Sequence, residues 1–141
     1  SYYCRRQWHL ADDHLLKYHY LQDFDKAMLA MAKDKEILAS DPVSLWIDEE
    51  GQVLVYERGG VLFAFNFSPA RSHDGFFVCA PEESLRYQAF LSTDDEAFGG
   101  WERVAKDVTY TARRAHDGRI GFQMYLPART GICMKVVGKE E

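Results

Sequence analysis

Residues 43–67 read VSLWIDEEGQVLVYERGGVLFAFNF: three runs of β-branched and aromatic residues, separated by Glu50-Gly51 and Gly59-Gly60. The runs 43–48, 53–58 and 61–67 each suit a strand, and links this short force antiparallel hairpins. Successive side chains of a strand alternate between faces, so Val61, Phe63, Phe65 and Phe67 share one wholly apolar side. That side is expected to lie in the core between two sheets, with Phe63 and Phe65 at its centre. Trp46, also in a strand, is expected to pack in the core. Toward the C-terminus, further strands are predicted at 76–80 (FFVCA), 84–91 (SLRYQAFL), 109–115 (TYTARRA), 119–126 (RIGFQMYL) and 131–137 (GICMKVV), with His116-Asp117-Gly118 as a tight turn. Eight short antiparallel strands in about a hundred residues define a mainly β fold, a two-sheet β-sandwich.

Toward the N-terminus the period changes. Tyr20, Phe24, Ala27, Met28 and Met31 recur at spacings of three and four, which predicts an amphipathic helix from Asp12 to about Lys33. Asp12 or Asp13 suits its N-cap, and Lys33 and Lys35 suit its C-terminal end. Asp41-Pro42 ends the helical pattern, since the residue before proline is pushed toward extended geometry. The chain thus divides into residues 1–41 and residues 42–141. Residues 92–108 (STDDEAFGGWERVAKDV) interrupt the strand pattern with a connection long enough to suggest a functional, mobile or partner-bound loop.

The 141 residues allow one domain with a full core. With 47% hydrophobic and 28% charged residues, the composition is that of a globular protein. Seventeen basic and twenty-two acidic residues leave a net charge of −5, which argues against a nucleic-acid surface. No apolar run approaches the roughly 20 residues of a membrane span. The start, SYYCRRQW, lacks the apolar stretch of a secretory signal. Cys4, Cys79 and Cys133 are an odd number without a close pair, so they are expected to be buried free thiols in a reducing, cytoplasmic compartment.

Little chemistry follows from the motifs. His9, His14 and His19 are spaced by five, and on a helix each turns about 140° from the last, so they cannot form a shared metal face. The carboxylate pairs Asp12-Asp13, Glu49-Glu50 and Glu82-Glu83, with Asp94-Asp95-Glu96, are adjacent in turns and at element ends. They are expected to be solvated and ionised, unlike a glycosidase dyad facing across a shielded cleft. There is no glycine-rich phosphate loop and no G-x-S-x-G elbow. No catalytic, cofactor-binding or metal-ligating residue emerges. The aromatics Trp8, Phe98 and Trp101 remain as candidate contacts for a sugar ring or a neighbouring domain, Trp101 because it follows Gly99-Gly100 in the irregular loop.

Three stretches go further: YYCRRQWHLADDHLLKYHYLQDFDKAM at 2–28, ERGGVLFAFNFSP at 57–69 and LSTDDEAFGG at 91–100. Together and in order, they resemble the C-terminal part of 1,4-α-glucan (glycogen) branching enzymes of the α-amylase superfamily. Ser68 and Trp101 depart from the pattern, since a histidine often stands at the first position and a polar residue or histidine at the second. The resemblance implies that residues 1–41 are the exit and last helix of a (β/α)8 catalytic barrel. Residues 42–141 would then be an α-amylase-type C-terminal all-β sandwich of Greek-key type. The catalytic carboxylates would lie in the barrel, so none is carried over onto this sequence. A fragment without them is expected to be inactive, while the parent enzyme transfers α-1,4 glucan segments to α-1,6 branch points without an organic cofactor.

The implied partners are an α-glucan, reached through the parent enzyme, and the barrel, against which part of the helix would lie. Without the barrel, the exposed apolar helix is expected to bring two copies of the chain together as a homodimer. The competing class is an autonomous α-glucan-binding sandwich in which Trp46 or Trp101 stacks on sugar. A small self-sufficient enzyme is disfavoured by the failed motif search.

Overall fold

The computed structural model describes residues 18–141. Helix α1 (Tyr18–Asp34) is followed by a 3-10 turn at Ile37–Ala39. Nine strands come next: β1 (Val43–Asp48), β2 (Val53–Arg58), β3 (Val61–Asn66), β4 (His73–Cys79), β5 (Leu85–Ser92), β6 (Tyr110–Thr111), β7 (Arg113–Arg114), β8 (Ile120–Leu126) and β9 (Thr130–Lys139). The large sheet has the order β1-β2-β3-β9-β5-β6 and the small one β4-β8-β7, with every pairing antiparallel. The predicted β-sandwich is therefore present, with a helix before it. The expected N-cap at Asp12 or Asp13 lies outside the described residues.

The single strand predicted at 109–115 is two. Tyr110–Thr111 pairs with β5 in the large sheet and Arg113–Arg114 with β8 in the small one. Between them, Ala112 is fully buried, its N–H donating to the Leu85 carbonyl and its own carbonyl accepting from the Ser84 N–H. One strand that changes sheet closes that side of the sandwich.

The side chains between the sheets are mostly small. Val55, Ala64, Val78, Ala80, Ala89 and Ala112 are at most 6% exposed, with Leu62, Phe122, Met124, Ile132 and Met134 filling the rest. On β3 the inward residues are Leu62 and Ala64. Phe63 and Phe65 point the other way, which corrects their expected place between the sheets. Phe63 is buried on the outer face of the large sheet with Val61, Leu91, Met31 and Ile37, and Phe65 is half-buried beside them. Alternation along β3 gives the gap between the sheets to Leu62 and Ala64, and the rings that fill it are Tyr87 and Phe122 from β5 and β8. Phe63 and Phe65 pack instead in the outer-face cluster that α1 joins through Phe24, Ala27 and Met31.

On the outer face Tyr56, Phe63, Phe65 and Phe67 form a row of near-parallel rings, with centroids 4.9 to 6.4 Å apart. Phe65 lies across Gly131 of β9, its cross-strand partner. A Cβ at Gly131 would sit 2.8 Å from the ring, so any larger residue there would push the Phe65 ring aside. Helix α1 covers the Phe63 end of the row through Phe24, Ala27 and Met31. The other end stays open, with Phe67 and Ile47 each about 60% exposed. On the helix itself Leu21 and Leu29 are exposed and Met28 is at the rim, so the predicted stripe is narrower than the sequence suggests.

Trp46 is not a core residue. It sits on edge strand β1 beside a bulge between Ser44 and Trp46, and is 37% exposed. Its indole lies 5.0 Å from the Arg119 guanidinium, which also covers Phe77 at 4.6 Å. The bulge turns the side chain to the rim of the sandwich, where a cation covers it.

Candidate functional site

The irregular segment after β5 is not a loose connection. Ser92 starts a reciprocal turn: its N–H donates to Asp95 Oδ2 at 3.1 Å, and its Oγ accepts from the Asp94 N–H at 3.1 Å. Asp94 then gathers the returning chain. Its Oδ1 accepts from the Trp101 N–H (3.2 Å) and Arg103 Nη2 (3.0 Å), and its Oδ2 from the Arg103 N–H (2.8 Å) and Nε (3.0 Å). Lys106 Nζ reaches Asp95 Oδ2 at 2.8 Å. Both carboxylates are buried, 5% and 3% exposed, which corrects the expectation that they are solvated, while Glu96 beside them is exposed. Burial opposes the charge on Asp94, but the Arg103 side chain and the backbone N–H groups of Arg103 and Trp101 outweigh it and hold the carboxyl below its ordinary value. Each carboxylate is thus tied to a cation within the loop.

The same clip fixes Trp101. Gly100 runs so close to the Asp94 backbone that any Cβ would collide with its carbonyl. Gly99 takes φ 79° against the Tyr20 ring. Glu102 is held at φ 51°, its N–H donating to the Asp94 carbonyl and its side chain accepting from the Glu96 N–H at 2.7 Å. Behind the loop, Val104 plugs the core and Phe98 meets Phe24 edge-to-face at 5.2 Å. The outcome is an indole 82% exposed on a loop anchored from below.

Trp101 borders an open cleft of about 480 Å³, whose other wall is the segment Pro69–Ser72 with Ala128 and Arg129. That wall is braced too. Asn66, buried at the end of β3, donates to the carbonyls of Arg71 (2.9 Å) and Leu126 (3.1 Å) and accepts from the Ser68 N–H (3.0 Å). Ser68 Oγ accepts from the Arg71 N–H, Ser72 Oγ from the Ala128 N–H, and the Ser68 carbonyl from the Arg129 N–H. The Asn66-Phe67-Ser68-Pro69 stretch thus shapes this wall of the cleft.

Of the sequence candidates, the structure brings Phe98 and Trp101 to one cleft, Trp101 outward and Phe98 half-buried beneath. Trp8 lies outside the described residues, as do His9, His14 and Cys4. Cys79 is buried and Cys133 largely so, both without disulfides. Burial pushes the Cys133 thiol up to about 12 and raises that of Cys79, so neither is a ready nucleophile. Among the described residues, no group of three or more His, Cys, Asp or Glu side chains could hold a metal ion. No helix there is long and apolar enough to cross a membrane. Sequence reasoning missed Asn66, Arg103 and Arg129. Asn66 could have been suspected as the one polar residue at the apolar end of β3, but nothing in the sequence marked the two arginines.

The chain is thus an antiparallel sandwich with a helix on one face, and its buried carboxylates pair with cations of their own loop. The chain belongs to the family described as alpha amylase, C-terminal all-beta domain, which it matches over residues 46–137. It is also similar to 1,4-alpha-glucan-branching enzymes. The one from Aspergillus oryzae is 40% identical over 136 residues, 94% of this chain and 20% of that protein. The Rhizophagus irregularis enzyme is 34% identical over the same coverage, and that of Solanum tuberosum 36% over 108 residues, 76% of this chain and 12% of that protein. The chain therefore spans about a fifth of the length of the curated fungal relatives it matches.

Proposed function

We propose that this chain serves as the C-terminal domain of a cytoplasmic 1,4-α-glucan-branching enzyme, with residues 1–41 as the end of its catalytic barrel and residues 42–141 as the sandwich that buttresses it. The observation that carries this reading is the extent of the similarity. It reaches 94% of the chain, beyond the 46–137 of the all-β domain family, so the fungal relatives share the stretch before the sandwich as well. A free-standing glucan-binding module has no reason to keep that stretch.

The reaction joins a cleaved α-1,4 glucan segment through an α-1,6 bond, and it belongs to carboxylates of the preceding barrel. The domain's part is support and an influence on chain transfer. Its contact with the barrel is the surface left uncovered around α1, where Leu21 and Leu29 are exposed and Tyr20, Leu21 and Phe24 line a shallow apolar cleft with Phe98. The polypeptide reaches the sandwich through this helix, so whatever precedes it is delivered to that face. A second copy of the chain is the alternative occupant. Deleting residues 42–141 from the longer enzyme is expected to lower both its melting temperature and its branching rate on amylose. An unchanged melt and rate would overturn the buttressing role.

A further inference from the structure

We propose that Trp101 and the cleft beside it form a secondary binding site for an α-1,4-linked glucose chain. The inference deepens the reading above and rests on it for the choice of ligand. Its basis is geometric. The Trp101 indole, 82% exposed, offers a large flat apolar face with a polar N–H at its edge. Here the ring is not left out by a floppy loop. Its own N–H is held by Asp94, Gly100 is wedged against the Asp94 backbone, and Glu102 is held at φ 51°, a conformation that non-glycine residues adopt only when the surroundings impose it. Arg129, on the opposite wall, is held at φ 56° in the same way, its N–H tied to the Ser68 carbonyl and its side chain exposed. Of the five non-glycine residues with positive φ among the described residues, Arg129 lines this cleft and Glu102 lies between Trp101 and Arg103, which line it.

The lining fits a sugar better than an apolar partner. One flat apolar ring stands beside a predominantly polar cleft to which Ser72, Arg129 and Asp94 contribute. A pyranose has that same division: an apolar face of C–H groups and a rim of hydroxyls that donate and accept. The indole takes the face, and Arg129 and Ser72 take the rim. Because the backbone of both walls is fixed before the ligand arrives, the ordering left to binding is that of the exposed Trp101 and Arg129 side chains. An open cleft leaves a longer chain free to run through. That suits holding a glucan near a distant active site.

Titration of the chain with maltoheptaose, followed by calorimetry, tests the site. Trp101→Ala is expected to weaken binding at least about tenfold, the effect of losing a central aromatic anchor, while Trp101→Phe retains most of it and Trp46→Ala all of it. Binding by Trp101→Ala equal to the parent, or no binding by the parent, would overturn the site. Branching by the longer enzyme on amylose, measured in parallel, separates the two readings. If it branches but Trp101→Ala binds normally, only the site is wrong. If it does not branch while Trp101 still governs maltoheptaose binding, the site stands and the chain belongs to a glucan-binding protein of another kind.

Discussion

Asp94→Asn is expected to destabilise the chain by about 3 kcal/mol at neutral pH, the low end of the range for breaking a buried ion pair, or roughly 10 °C in melting temperature. Asp94 accepts four hydrogen bonds, two from backbone N–H groups and two from Arg103. An amide in its place loses the charge and turns an NH2 group toward at least two of those donors. The low end applies because the Arg103 side chain is about one-third exposed and can recover some hydration. The pH dependence is a sharper check. Asp94 is held below its ordinary value of 3.8 in the folded chain, so its charge stabilises fully above that value and ceases to do so as the pH falls through the lower folded value. The gap between parent and Asp94→Asn, read from urea melts, should therefore be constant from pH 7 to 5 and shrink below 3.8. A gap under about 0.5 kcal/mol at pH 7, the range of an ordinary surface change, would mean that the clip does not hold the loop.

Phe63→Ala is expected to cost about 3 kcal/mol, and Phe67→Ala less than about 0.5 kcal/mol. The two residues share a strand face and a row of stacked rings, but Phe63 is 7% exposed beneath α1 while Phe67 is 60% exposed at the open end. Denaturant midpoints for the two variants settle it. Equal losses would mean that the helix does not cover the sheet as described.

That contrast shows how far the sequence could be read. The period-two pattern of residues 43–67 gave three strands at nearly their observed bounds, and the glycine turns gave their pairing. What alternation could not give was which apolar face of β3 meets the second sheet. Both faces are apolar, Leu62 and Ala64 on one side and Phe63 and Phe65 on the other. The choice depends on what β4, β5 and β8 bring to the interior, far along the chain. Ala112 was illegible for a similar reason: a strand that changes sheet keeps its local pattern. In the loop, Asp94 and Asp95 read as solvated because their partners Arg103 and Lys106 lie nine and eleven residues away, with no period linking them. Trp101 was legible as a candidate because Gly99-Gly100 precedes it. The cleft it borders depends on Asn66 and Arg129, which only the folded sheet brings near.

Analysis of branch points on amylose incubated with the highly purified chain tests the central claim most directly. The claim is that these 141 residues support a branching enzyme without containing its chemistry. The account predicts no new α-1,6 linkages with the chain alone, and their appearance with the longer polypeptide that also carries the barrel. New α-1,6 linkages formed by the chain alone would contradict it.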